Sequence, residues 1–130
     1  MNVDWNRLSN LYPNAWAVFK MQLNIQMGET IDLLITDDNR TFISTAGSDG
    51  YMSFLLDTDV IFNIFDKEGV FINIFCNTPG TIWTFSMFKS GKPFAISSSS
   101  YPNRETANAH AIEAAFNYLE QFYTIERARN

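Results

Sequence analysis

The sequence predicts an α+β domain: a mainly antiparallel sheet with an N-terminal helical segment, a short middle helix and a long C-terminal helix packed on it. Three observations carry this prediction. Short runs of β-branched and aromatic residues recur between turn signals from residue 31 onward. An amphipathic segment with an acidic start ends at Gly69, and residues 103–123 carry an apolar stripe at helical spacing. Because 130 residues is the size of one domain, we expect residues 1–130 to form a single globular unit.

The first predicted elements are two helices that meet at Pro13. Residues 3–11 carry apolar side chains at spacings of three, which is one edge of a short helix. Pro13 disfavours the helical conformation in the residue before it and can itself begin the next helix. We expect that helix over residues 13–23. The alternation of polar and apolar side chains in residues 20–27 is typical of a strand, so a long first strand is the alternative.

A meander of hairpins is predicted to follow. Residues 31–36, 41–45 and 51–56 are rich in apolar and β-branched side chains, and Asp, Asn and Gly residues separate them. These separators have the composition of turns, so the three runs indicate adjacent antiparallel strands.

Residues 57–87 hold much of the bulky apolar mass, and we expect the other elements to pack on them. The predicted order is a capped helix that Gly69 closes, a strand over residues 70–77, a Pro-Gly turn and a strand over residues 81–88. A strand reading of residues 60–65 competes with the helix. The strand at 70–77 is apolar on both sides, which predicts a central strand covered on both faces. Cys76 within it is therefore expected to be a buried, inert thiol.

The C-terminal third is predicted to be an edge strand and a long helix. Pro93 cannot donate to a ladder, so residues 93–99 are expected at a sheet edge. Asn103 is the expected cap of a helix that reaches about Tyr123, with Ile112 at the centre of its buried side. We expect residues 126–130 to fray.

Charge and composition exclude several classes of function. The net charge is −5, with nine Lys or Arg against fourteen Asp or Glu, which argues against a nucleic-acid backbone binder. The aromatic residues between positions 70 and 88 have no interleaved Lys or Arg, so they do not resemble a base-stacking platform. No apolar run approaches the roughly 20 residues of a membrane span, and no signal segment is visible. These features indicate a cytoplasmic protein that does not enter a membrane.

Catalytic and metal-binding chemistry finds little support in the sequence. His110 is the one histidine, and it lies opposite the expected buried side of its helix, which predicts a solvated side chain. One His and one Cys cannot build a Cys/His zinc site, and the acidic pairs have sufficient roles as turn and cap residues. We therefore expect no metal and no cofactor. A triad of His110 with one of residues Ser97 to Ser100 and a carboxylate stays open, although no nucleophile elbow is present.

Three segments carry a resemblance to other proteins. Residues 61–72, with the sequence Ile-Phe-Asn-Ile-Phe-Asp-Lys-Glu-Gly-Val-Phe-Ile, and residues 103–120, which contain Asn-Arg-Glu-Thr-Ala-Asn-Ala-His, resemble a loose group of small uncharacterised α+β proteins of bacterial and bacteriophage genomes. Leu-Tyr-Pro-Asn-Ala-Trp at residues 11–16 fits the same style. The resemblance covers about half of the chain and rests on cap, stripe and stop residues. It implies a compact α+β fold and a setting in a mobile element, and it transfers no catalytic residue.

Two functional hypotheses follow from the sequence. The first is a non-enzymatic binding or accessory protein, with a protein partner or self-association as a homodimer, because aromatic mass is high and no catalytic constellation is visible. The alternative is a small-molecule or nucleotide-binding domain with a pocket between the sheet and the C-terminal helix. Trp83 and Arg104 are the candidate ligand-binding residues of that alternative.

Overall fold

The computed structural model describes residues 3–27, 31–35, 41–47, 50–55, 58–89, 92–96 and 99–129, with side chains described for residues 3–25, 58–89 and 99–124. Within these residues the chain forms helices and antiparallel strands, which confirms the α+β class. The elements are α1 (Trp5–Leu11), α2 (Pro13–Met27), β1 (Ile31–Ile35), β2 (Thr41–Gly47), β3 (Gly50–Leu55), α3 (Thr58–Lys67), β4 (Val70–Cys76), β5 (Trp83–Lys89), β6 (Lys92–Ile96) and α4 (Arg104–Arg129). The predicted turn between residues 36 and 41 lies outside the described residues.

The N-terminal helices begin and end where local chemistry dictates. Asp4 caps α1, since its Oδ1 accepts a hydrogen bond of 3.0 Å from the Arg7 backbone N–H. The break falls at Tyr12 and α2 begins at Pro13, as predicted. The strand alternative for residues 20–27 is wrong, because α2 continues to Met27. Leu23 is fully buried one helical turn after Phe19, so packing of the helix outweighs the local alternation.

The strands of the described residues form two three-stranded antiparallel sheets, with the orders β1-β2-β3 and β4-β5-β6. The first is the predicted meander. In the second, β5 is the central strand and β6 lies at an edge, as Pro93 predicts. The prediction that β4 is central and covered on both faces is wrong. Among the described residues β4 pairs with β5 alone, and its residues Phe71 and Phe75 are exposed.

The end of α3 and the start of α4 lie at the predicted capping residues. Gly69 adopts a φ of 78°, the left-handed conformation that favours glycine, and it separates α3 from β4 as predicted. The side chain of Asn103 caps α4, because its Oδ1 accepts from the Thr106 N–H at 2.8 Å. The helix reaches Arg129 instead of ending near Tyr123. The prediction of a frayed tail is therefore wrong for residues 126–129.

Aromatic rings join the helices into one core. The ring of Phe116 on α4 lies 5.3 Å from the rings of both Phe19 on α2 and Phe65 on α3, measured between centroids. Trp5 on α1 contacts the same ring at 6.2 Å. Because Phe116 touches rings from all three other helices, α4 is the element around which the core is organised, beside the β4–β5 hairpin.

Two carboxylates link distant elements through hydrogen bonds. Glu120 on α4 accepts from the Asn14 side chain and from the Ala15 backbone N–H, each at 2.8 Å, and so holds the first turn of α2. Glu68 accepts from Gln22 on α2 and from the Tyr123 hydroxyl on α4. Burial and the hydrogen bond from its hydroxyl to Glu68 raise the pKa of Tyr123 to about 12. Both carboxylates therefore stabilise the contact of α4 with α2.

Candidate functional site

The β4–β5 hairpin presents two faces because successive side chains of a strand alternate. Val70, Ile72, Phe85 and Met87 belong to the face that packs into the core. The strand register places Phe71 opposite Phe88, Asn73 opposite Ser86 and Phe75 opposite Thr84. We call the surface formed by these three pairs the outer face. It consists of Phe71, Asn73, Phe75, Thr84, Ser86 and Phe88.

Two phenylalanines on the outer face are open to solvent. Phe71 is 46% exposed and Phe75 is 50% exposed, although Phe is a residue type that normally lies in the core. Asn73 between them is also exposed, and Phe88 is half-buried. The outer face contains no charged side chain. An uncharged surface with exposed aromatic rings is the kind of surface through which proteins bind other macromolecules.

At the centre of the outer face, Ser86 is an unusual buried polar residue. It is 7% exposed, and its Oγ has no hydrogen-bond partner. An unpaired buried hydroxyl costs free energy because it loses its hydrogen bond to water. Among the described residues, Asn108 on α4 also has a buried side-chain oxygen without a hydrogen-bond partner.

Cys76 ends β4 and is exposed, so the prediction of a buried thiol is wrong. The error follows from the wrong position of β4: the end of an edge strand remains open even when its sequence is apolar. The stretch from residue 70 to residue 88 contains no basic side chain that would activate the thiol.

The two predicted ligand-binding residues lie together at the start of α4. The guanidinium carbon of Arg104 lies 4.8 Å from the centroid of the Trp83 ring, a cation–π contact. The indole Nε1 of Trp83 donates to the Gly80 carbonyl at 3.2 Å. Backbone hydrogen bonds of 2.8 Å in both directions tie Trp83 to Tyr101. The two side chains thus stabilise one another across the junction of β5 and α4.

Tyr101 connects this pair to His110, an arrangement that sequence patterns did not indicate. The Tyr101 ring stacks on His110 with centroids 4.5 Å apart and an angle of 19° between the ring planes. Its other neighbour is Phe85, at 6.3 Å and 11°. His110 is exposed, as predicted from its position opposite Ile112. The stack depends on the isolated bridge between Trp83 and Tyr101, which no local motif marks.

A surface cleft of about 180 Å³ opens beside His110. It lies between α1 and α4, and the predicted pocket was one between the sheet and α4. Its lining residues are Val3, Asp4, Arg7, Leu8, Ala109, His110 and Glu113. Arg7 and Glu113 form an ion pair across it. The cleft is smaller than the roughly 300–1,000 Å³ that small-molecule sites occupy.

Helix α3 carries two acidic residues, Asp59 and Asp66. Asp59 lies in the first turn of α3, where a carboxylate suits the helix dipole. Burial raises the pKa of Asp66 above its ordinary value, and the positive charge of Lys67 opposes this shift. No group of three His, Cys, Asp or Glu residues that could hold a metal ion occurs in the described residues. Among the same residues, no helix combines the length and apolarity that a membrane crossing requires.

Comparison with known proteins gives no independent guide to function, since the chain matches no family model, no curated protein and no solved structure. The geometry of the outer face and of the Trp83–Arg104 region therefore carries the functional argument.

Proposed function

We propose that this chain is a non-enzymatic binding or accessory protein that contacts a partner protein through the outer face. The observation that carries the proposal is the exposure of Phe71 and Phe75 on a face without charge. Covering a water-exposed aromatic ring with a partner lowers the free energy of the system, and aromatic side chains are enriched at protein interfaces. The resemblance of residues 61–72 and 103–120 to proteins of bacterial and bacteriophage genomes supports an accessory role in a mobile element.

Site-specific photo-crosslinking in native cells tests the binding surface. A photoreactive amino acid replaces Phe75, and the matched control replaces Leu11, which is 51% exposed and belongs to α1. We expect a discrete protein adduct from position 75, absent from position 11 and lost when Phe71 is also changed to Gln. Equal adducts at both positions, or none at position 75, would remove the outer face as the binding surface.

The setting in a mobile element is tested by the genes beside the coding sequence. We expect phage structural, regulatory or defence genes as neighbours. A position among housekeeping genes would contradict this setting without affecting the binding surface.

A second candidate function, binding of a small planar ligand, is favoured by one observation: Arg104 and Trp83 are in contact beside the Tyr101–His110 stack. A ligand would displace Arg104 from the Trp83 ring and use the guanidinium for an anionic group. A thermal-shift screen with nucleotides tests this candidate, with Arg104→Ala as the matched variant. Stabilisation that the variant loses supports the candidate, and the absence of any shift rejects it.

A further inference from the structure

The outward edge of β4 is open for strand pairing. The Asn77 N–H donates to the Ile82 carbonyl at 3.0 Å, and these two residues continue the register of β4 with β5. Since antiparallel pairs alternate between bonded and non-bonded positions, Ile72 and Ile74 direct their backbone N–H and C=O groups away from β5. No other strand of the described chain pairs with this edge. β4 also lacks the charged residues and prolines by which proteins normally protect an exposed edge.

The sequence of β4 is symmetric about Asn73. Residues 71–75 read Phe-Ile-Asn-Ile-Phe in both directions. An interface with two-fold symmetry uses the same patch on both subunits, so the patch must be complementary to itself. An antiparallel strand pair centred on Asn73 satisfies this requirement, because each Phe71 then lies opposite Phe75 of the second copy.

We infer that β4 pairs with β4 of a second copy of this chain, forming a continuous sheet with three strands from each copy. This inference rests on the proposed binding role of the outer face and names a second copy as a molecule that binds there. The outward backbone groups of Ile72 and Ile74 form the hydrogen-bonded pairs of the new ladder. Phe71 and Phe75 fall in the non-bonded pairs, whose Cα atoms approach to about 4.5 Å and whose side chains lie closest.

The pairing changes the outer face as well as the edge. Because a two-fold axis perpendicular to the sheet keeps both outer faces on the same side, Phe71 and Phe75 of the two copies group around the axis. The two Asn73 side chains meet on the axis, where an amide can both donate to and accept from its counterpart. A partner protein would therefore meet one larger surface with two-fold symmetry.

A disulfide at the axis tests the register. Asn73→Cys in a Cys76→Ser background places two thiols in a non-bonded pair, with a Cα separation of about 4.5 Å that suits a disulfide. The native Cys76 is the matched control: it is exposed, but in this register it lies opposite Val70 and about 20 Å from the second Cys76, at roughly 3.4 Å per residue. Under mild oxidation we expect a covalent dimer from the variant and none from the native chain. A monomeric variant, or equal crosslinking of both chains, overturns the inference.

Charge substitutions at exposed Phe71 and Phe75 give a second test that does not depend on oxidation. The variant F71K/F75E places opposite charges across the interface and is expected to dimerise. F71K/F75K and F71E/F75E each place like charges across it and are expected to be monomeric alone and to form heterodimers when mixed. Light scattering at fixed concentration measures the mass. The same mass for F71K/F75E and F71K/F75K would overturn the pairing.

The failure of the dimer and the failure of the proposed function give different results. A photo-adduct with a different protein at position 75, together with a monomeric cysteine variant, rejects the dimer and supports the binding role. A covalent dimer without such an adduct supports the pairing and rejects a different protein partner at the outer face.

Discussion

On the β4–β5 hairpin, both faces carry bulky apolar side chains, yet the face toward α4 is covered and the outer face leaves two phenylalanines open to solvent. Met87 and Phe85 on the covered face are 1% and 6% exposed, whereas Phe71 and Phe75 on the outer face are about half exposed. On the covered side, α4 also supplies Tyr118 and Phe122, whose rings lie under the Lys89 ammonium group. Apolar composition alone therefore does not decide burial. The elements that pack against each face decide it, and on the outer face Phe71 and Phe75 remain exposed.

The largest difference between the two faces is expected from truncating one side chain on each. Met87→Ala should lower the free energy of unfolding by about 2–5 kcal/mol, because it removes a buried side chain and leaves a cavity. Phe75→Ala should cost less than about 1 kcal/mol, since the ring is half exposed. Urea denaturation at one low protein concentration measures both. Equal losses would mean that the outer face is covered in the monomer.

The next largest effect is expected at Glu120, whose hydrogen bonds hold α4 against α2. Glu120→Ala should cost about 1–3 kcal/mol, because it leaves the buried Ala15 N–H and the Asn14 amide without their acceptor. Glu120→Gln is the matched control and should lose less, since one acceptor oxygen remains. The midpoint of urea denaturation orders the three proteins. If both variants lose the same free energy, the carboxylate charge matters more than the hydrogen bonds.

The covered side should also respond to alkaline pH through Tyr123. Its pKa is raised from the ordinary 10.0 to about 12 by burial and by the hydrogen bond to Glu68. Between these two values the folded protein keeps a proton that the unfolded chain has released. The stability from this contact is therefore complete below pH 10 and is lost as the pH rises toward 12. Tyr123→Phe should lack this slope in urea midpoints measured from pH 9 to pH 11.5, and identical slopes would contradict the shift.

The smallest effect is expected on the outer face, where Ser86 buries an unpaired hydroxyl. Ser86→Ala should leave stability unchanged or raise it by up to about 1 kcal/mol, because the substitution removes a desolvated group and keeps the backbone ladder. Thermal denaturation by circular dichroism measures the change, with Thr84→Ala on the same face as control. A clear loss of stability in S86A would show that the hydroxyl makes a stabilising contact.

Element boundaries could be predicted from sequence where a residue acts on its own backbone. Pro13 begins α2, Gly69 takes the left-handed conformation after α3, and Asn103 caps α4. The strands pair in chain order, but the position of β4 at an edge could not be predicted, because the sequence of β4 does not show whether a further strand pairs with it. The apolar sequence of β4 fits a central strand and an exposed edge strand equally well, which explains the errors on β4 and Cys76.

The candidate sites also differ in whether their residues could be singled out from the sequence. Trp83 and Arg104, the candidate ligand-binding residues from the sequence, are in contact at the start of α4. Their role in binding stays a prediction. The Tyr101–His110 stack and the outer face were missed because each depends on strand register, which pairs residues that no short motif connects.

The links between α1, α2 and α4 also bear on how the chain folds during synthesis. Glu120 caps the first turn of α2, and Phe116 packs against both Trp5 and Phe19, about a hundred positions earlier in the sequence. The β4–β5 hairpin uses neighbouring residues and can form early, whereas non-local contacts form late. On the ribosome, the two N-terminal helices can pack on each other and on α3 first, since Phe19 contacts both Trp5 and Phe65. Their contacts with Phe116 and Glu120 form only after nearly all of the described chain has emerged, and until then the surfaces that α4 covers are open to chaperones.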